Sequence, residues 1–163
     1  MICIGLFGTC GGSYWRNSFI EEYTKRNINF FNPQVEDWKP ELAEIEAQHL
    51  VNDDIILFPV TNETYGTGSL SETGFSIMQA INTNINRSVV IMIDKGVKEE
   101  LKVANPGSAK ESMRARALVR AHLSKISRGN IYIVDSLENM FAVSLELYSV
   151  HTILERLRPF NNK

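Results

Sequence analysis

The chain has 163 residues, 44% of them hydrophobic and 22% charged, with a formal net charge of −2. That length supports one domain with a real core, and that charge excludes a global basic field for a nucleic-acid polymer. No apolar run reaches the roughly 18 residues of a membrane-spanning helix, and the opening MICIGLFG has neither the basic flank nor the apolar length of a secretory signal. Cys3 and Cys10 read as buried thiols, or alternatively as an occasional redox pair. The cytoplasm is the expected compartment.

Residues 2–7 are a predicted strand, nearly continuous in apolar residues as for a strand covered on both faces. A glycine-rich turn covers 8–13. A helix over 14–26 carries Trp15, Phe19, Ile20 and Tyr23 near helical spacing. A second strand, 28–31, stops at Asn32-Pro33, and a loop over 34–40 leads into a helix over 41–52. The third strand spans 54–60. A polar, glycine-bearing loop follows, and a helix is expected over 69–82. The fourth strand, 88–93, ends at Asp94-Lys95-Gly96. The stretch 95–108, with Pro106-Gly107 and several lysines, reads as a mobile flap or an irregular insert. A helix over 109–127 is stopped by Arg128-Gly129-Asn130, and a fifth strand, 131–134, precedes a last helix over 137–157.

This alternation predicts one α/β domain over 1–163, a doubly wound five-stranded parallel sheet in the flavodoxin-like order 2-1-3-4-5 with helices on both faces. The last helix is apolar nearly all round: Met140, Phe141, Val143, Leu145, Leu147, Tyr148, Val150, Ile153 and Leu154. One sheet face cannot bury all of these, so a homodimer or higher homo-oligomer is expected, the alternative being a deep core helix.

In such a sheet the loops 8–13, 32–39, 61–69 and 94–108 meet at one edge, where ligands bind. The first loop sets Gly11, Gly12 and Ser13 at a helix N-terminus, whose free N–H groups favour an anion, and Arg16 adds a charge. Equally, it is a tight strand-to-helix turn with Ser13 as N-cap. Glu72 has two readings. Ser69-Leu70-Ser71-Glu72 fits a capping box. Alternatively, Glu72 is a carboxylate nucleophile, kept ionised by the helix N-terminus, that attacks the anomeric carbon of a sugar. Glu46 shares a helix face with Leu42, Ile45, His49 and Leu50. It either needs a partner or a ligand there or lies at the stripe's edge and reaches water. Tyr14, Trp15, Phe31, Trp38 and Tyr65 fall in or beside the loops, as packing or as platforms for a flat heterocycle. His49, His122 and His151 are dispersed and no Cys/His spacing fits zinc, so neither metal nor cofactor is expected.

These segments together resemble the nucleoside 2-deoxyribosyltransferase-like superfamily, which includes the deoxyribosyltransferases and related nucleotide N-glycoside hydrolases. IGLFGTCGGSYWR is similar to the family's opening strand and sugar- or phosphate-holding loop. FFNPQVEDW is similar to an Asn-Pro…Asp-Trp segment of one branch, and DDIILFPVT followed by GTGSLSETGF to the strand, glycine loop and catalytic glutamate. The resemblance covers about residues 2–95. It implies an enzyme that cleaves or transfers the N-glycosidic bond of a nucleoside, nucleotide or related N-ribosyl compound. Glu72 would be the nucleophile and Glu46 would position it or the sugar hydroxyls. Gly8, Thr9 and Arg16 would hold the 5′ end, and Asn32, Asp37 and Trp38 the base side, with Tyr65 and Gly68 in the loop before Glu72. The chain departs from the family at Thr73, where Leu is usual, and near Gly66, where the transferases carry an aspartate. Glu63 or Tyr65 would have to substitute there, and hydrolysis is slightly favoured over transfer. The alternative is a non-catalytic module that binds a nucleotide or nucleotide-derived signal in the same cleft.

Overall fold

The computed structural model describes residues 1–37, 39–83 and 86–161. Five parallel strands, β1 (Ile4–Leu6), β2 (Phe30–Phe31), β3 (Ile55–Val60), β4 (Ser88–Ile93) and β5 (Ile131–Val134), form one sheet in the order β2-β1-β3-β4-β5. The flavodoxin-like order expected from the strand–helix alternation is therefore observed. The helices are α1 (Arg16–Lys25), α2 (Leu42–Asn52), α3 (Thr67–Thr83), α4 (Glu99–Ala104), α5 (Pro106–Leu123) and α6 (Leu137–Leu157), closed by a 3₁₀ turn, Arg158–Phe160.

Alternating residues of the central strands feed two cores. Ile4, Leu6, Ile55, Leu57, Val90 and Met92 pack with Trp15, Phe19 and Tyr23 of the first loop and α1, and with Met140 and Leu147 of α6. On the opposite face Ile56, Phe58, Val60, Val89, Ile91 and Ile93 meet Leu50, Leu70, Val119 and Leu123 from α2, α3 and α5. β3 and β4 are buried throughout, which is why they read as unbroken apolar runs.

β1, β2 and α1 are shorter than expected and α5 ends at Leu123, four residues early, and three further differences change the reading. Residues 95–108 are not a flap: they hold α4 and the start of α5. Asn105 caps α5 by accepting from the Ser108 N–H at 3.0 Å, and Pro106 takes the first helical position, where its missing N–H costs nothing. α3 begins at Thr67, two residues early. α6 is not apolar on its inward line, which runs Met140, Ser144, Leu147, His151. Its two polar members have buried partners: Ser144 Oγ meets the Tyr23 hydroxyl, and His151 Nε2 meets Ser88 Oγ at 3.0 Å. Burial pushes the His151 imidazole below its ordinary value, so it sits there neutral. The apolar surplus of α6 faces outward.

Below the sheet, where β1 and β3 begin, Cys3 accepts from Asp54 N and Ile55 N through its carbonyl, at 3.1 and 3.2 Å. Asp53 closes α2 by donating its N–H to His49 O at 2.8 Å. Burial pushes the Asp53 carboxyl up, opposed by its contact with His49. Burial and Asp53 together carry the Cys3 thiol up to about 12. Among the described residues no helix is long and apolar enough to cross a membrane.

Candidate functional site

A cleft of about 1280 Å³ opens at the C-terminal ends of β1 and β3. β1 is flanked by β2 and β3, and the chain crosses from one sheet face to the other there, so the cleft lies at the topological switch point. Its walls come from the loop after β1, the loop after β2, the cleft-facing side of α2, and the loop that leads from β3 into α3.

The first loop is pinned to β3. Gly8 has φ +91°, and a Cβ there would stand 2.3 Å from Pro59 O. Only glycine allows the chain to turn so close to the next strand. Thr9 N then donates to Pro59 O at 2.8 Å, Thr9 Oγ1 donates to the same oxygen at 3.2 Å, and Thr61 N donates to Thr9 Oγ1 at 2.9 Å. Pro59 is tolerated in this central strand because β1 pairs only with Ile55–Leu57, so its missing N–H faces no ladder partner from β1.

Arg16 is fully buried under this loop. Its guanidinium donates to Leu6 O at 2.8 Å and Thr9 O at 2.6 Å, reaches Cys10 Sγ at 3.3 Å, and lies 4.6 Å from the Trp15 ring centre. It braces the loop from beneath rather than facing the void. Ser13, also buried, does not cap α1: its hydroxyl meets Thr61 Oγ1 at 3.2 Å and donates to Glu63 Oε2. Glu63 is held further by Thr61 Oγ1 at 3.1 Å and lies 3.9 Å from Lys98 Nζ. The side chains of Thr9, Ser13, Arg16 and Glu63 thus satisfy one another or nearby carbonyls.

What borders the void is different. Gly8, Gly11, Asn32, Tyr65, Gly68, Glu46 and Glu72, all singled out from the sequence, line the cleft. Gly12 is exposed on the loop but stands outside the lining. Asp37 is exposed, pairs with Lys39 at 3.6 Å and does not reach the cleft. Trp38 lies outside the described residues. Tyr65 lines the wall while its hydroxyl donates to Leu101 O at 2.9 Å. Asn32 Oδ1 accepts from Gln34 N at 3.1 Å, and Gln34 Nε2 donates to Gly11 O at 3.3 Å, tying the second loop to the first. Tyr14, 72% exposed, stands at the rim.

Glu72 is not the third residue of a capping box. With α3 opening at Thr67, it sits in the second turn, and Ser69 is buried with its carbonyl accepting from Thr73 Oγ1 at 2.6 Å. Glu72 has surface exposed at the cleft, yet partial burial, and secondarily the charge of Glu46, push its carboxyl above the ordinary glutamate value. That is the opposite of a carboxylate held ionised by a helix N-terminus. Gln34, Asn17 and Arg116 were not singled out by sequence. Arg116 is fully buried and donates to Val60 O, Asp94 O, Thr61 O and Thr64 O at 2.9–3.2 Å. It clamps the β3–α3 loop from α5. Its only signal is the inward stripe Ala109, Ser112, Arg116, Leu123, whose small members leave room for a guanidinium.

No protein-family model matches the chain, and no curated protein matches it. Among solved structures the chain is similar to the RPS4 and RRS1 TIR domain heterodimer, with a TM-score of 0.56 and 11% identity over 90% of this chain and 97% of that one. At that identity the likeness establishes a shared fold. It also corrects the family reading: this structural neighbour is a TIR domain heterodimer, and the resemblance to the nucleoside 2-deoxyribosyltransferase-like superfamily is not upheld. The transferase or hydrolase acting on an N-glycosidic bond falls with it, and so does the role of Glu72 as nucleophile with Glu46 as its positioning partner.

Proposed function

We propose that this chain is a non-catalytic binding module that holds a nucleotide or nucleotide-derived ligand in the switch-point cleft, acting in the cytoplasm. The observation that carries the reading is the division of labour at the cleft. The Thr9, Ser13 and Arg16 side chains of the first loop are spent on internal hydrogen bonds, while glycine backbone, the exposed Cys10 thiol, an exposed aromatic ring, amides and two carboxylates border the void. The volume suits a nucleotide-sized guest. Gly8 and Gly11 give an anionic end close approach to backbone. Tyr14 offers a face for a heterocycle. Glu46 and Glu72 accept hydrogen bonds from hydroxyl or amino groups, and their mutual repulsion is relieved when a donor stands between them.

Calorimetric titration with a panel of nucleosides and 5′-nucleotides, followed by chromatography of the recovered ligand, tests this. Saturable one-to-one binding is expected, with the ligand recovered intact and affinity about tenfold weaker in Tyr14→Ala. Absence of binding across the panel, or release of free base, overturns the reading.

The module is further proposed to pair with a second copy through α6. Val150, Ile153, Leu154 and Leu157 repeat at i, i+3, i+4 and i+7, each about half exposed, and Phe160 continues the stripe at 80% exposure. Sedimentation should give a dimer for the natural chain and a folded monomer for Leu154→Glu. A natural chain that sediments as a monomer at every soluble concentration rules this pairing out.

A further inference from the structure

The geometry points to a second site, away from the cleft: Cys3, His49 and Asp53 form a three-ligand site for one divalent transition-metal ion of zinc's class. Cys3 stands just before β1, while His49 in the last turn of α2 and Asp53, which caps that helix just before β3, lie four residues apart. Their ligand atoms lie within 4.8 Å of one another. A tetrahedral ion bound at about 2.0–2.3 Å sets its ligands about 3.3–3.6 Å apart, so closing the site draws these atoms together by at most about 1.5 Å.

Three independent features hold these groups for an ion. Asp53 is 3% exposed, and its Oδ2 has no hydrogen-bond partner among the described residues. A buried carboxylate oxygen left this way is costly, and a cation removes the cost. Oδ1 lies 2.9 Å from His49 Nδ1, near the spacing of two ligands that share a metal edge. Second, the strand is tight beside Oδ2. A Cβ at Gly5 would stand 2.4 Å from the Phe7 ring and 2.7 Å from Oδ2, so glycine leaves both the ring and this carboxylate their place. Third, the imidazole is fixed in plane: the His49 ring stacks on Phe31 with centroids 3.6 Å apart and a 3° interplanar angle.

The backbone completes the frame. Ile4 pairs with Ile55, which sets Cys3 beside the start of β3, and Asp53 N on His49 O fixes the helix end. A thiolate, an imidazole and a carboxylate form a mixed donor set that suits zinc or cobalt and not magnesium or calcium. On binding, the Cys3 S–H bond gives way to a sulfur–metal bond and the proton passes to solvent. The His49 side chain is 36% exposed, so the fourth position opens to water. The charge sum is −2 from the two acidic ligands against +2 from the ion, which leaves the buried cluster neutral.

Cobalt(II) titration of the chelator-treated full chain is the test, read by absorption. One equivalent should bring a thiolate-to-cobalt charge-transfer band with tetrahedral d–d bands, and zinc should displace both. Cys3→Ser should lose the charge-transfer band and bind at least tenfold more weakly, while Cys10→Ser keeps it. A measurement on the natural chain stands beside the variants. Zinc should protect Cys3 from alkylation, mapped by mass spectrometry, while Cys10 is labelled at the same rate with and without metal. No cobalt band, a band that survives Cys3→Ser, or equal labelling of Cys3 with and without zinc overturns the site.

Discussion

Replacing Arg116 with methionine is expected to destabilise the fold by about 4 kcal/mol and to lower the melting midpoint by about 10 °C. The shape of the side chain is roughly kept, but five donors go. Val60, Thr61, Thr64 and Asp94 each lose a donor to their carbonyl, and Ser112 Oγ loses Arg116 Nε at 3.1 Å. Buried ion pairs can often be exchanged for apolar residues at little cost, because both partners leave together. Here the partners are backbone oxygens, which cannot leave. Val60 O keeps the Asp94 N–H at 3.0 Å, each acceptor left without a donor costs about 1–3 kcal/mol in a buried setting, and water entering from the cleft side offsets part of the sum. Arg116→Lys keeps the charge but offers one nitrogen in place of a planar fork, so it should recover less than half the loss. Because the clamp holds Thr64 and Tyr65 of the cleft wall, through Thr64 O and through Ser112 Oγ on Tyr65 O at 2.6 Å, ligand affinity should fall in both variants. Thermal melting and urea titration measure the effect. A methionine variant that melts within two degrees of the natural chain contradicts the clamp.

Gly8→Ala is expected to cost about 3 kcal/mol or more, against less than about 0.5 kcal/mol for Gly12→Ala. Two penalties meet at Gly8. Its φ of +91° is disfavoured for any residue with a Cβ, and that atom would stand 2.3 Å from Pro59 O and 2.9 Å from Pro59 N. Backbone cannot yield there without breaking the Thr9 N bond to Pro59 O. Gly11 separates the two terms: it has φ +72° but open space around a built Cβ, so alanine there should cost about 1 kcal/mol from strain alone. Gly12 has neither penalty. Urea unfolding of the three variants should rank them Gly8, Gly11, Gly12 in falling cost. Equal costs at Gly8 and Gly12 would mean that the turn does not depend on close approach to β3.

The sheet was legible in the chain because its physics is local and repetitive. β4 and β5 carry their expected bounds, and so does α6. The α4–α5 break was missed although Asn105-Pro106 is a cap followed by a first-turn proline, since Pro106-Gly107 and the lysines around it read as a mobile flap or an irregular insert. At the cleft, Gly8 and Tyr65 were placed by topology, Glu72 by the helix start after the third strand, and Glu46 by the helix face it shares with Leu42 and Leu50. The orientation of Arg16 and Ser13 was not, because it depends on Leu6 O, Thr9 O, Thr61 and Glu63, which only the folded chain brings near. Arg116 lies over fifty residues from the Val60 and Thr61 carbonyls that it serves, and its only local mark is the run of small residues on the inward face of α5. The capping box at Ser69–Glu72 was a good local pattern overridden by Gly66, whose φ of +64° turns the chain and starts the helix early. In the Cys3–His49–Asp53 cluster, His49 and Asp53 stand four residues apart at one helix end, but Cys3 joins them only through strand register, so ligand spacing alone does not reveal the set.

The unequal rims of the sheet carry a consequence for how this chain fails when stressed. β2 spans two residues and β5 four, with Ile133 half exposed on the latter. An intruding extended segment finds almost no ladder to extend beyond β2, while β5 offers a longer template with an apolar side chain already in place. Heat-driven aggregation should therefore begin by strand addition at β5, and a lysine at position 133 would act as a gatekeeper there.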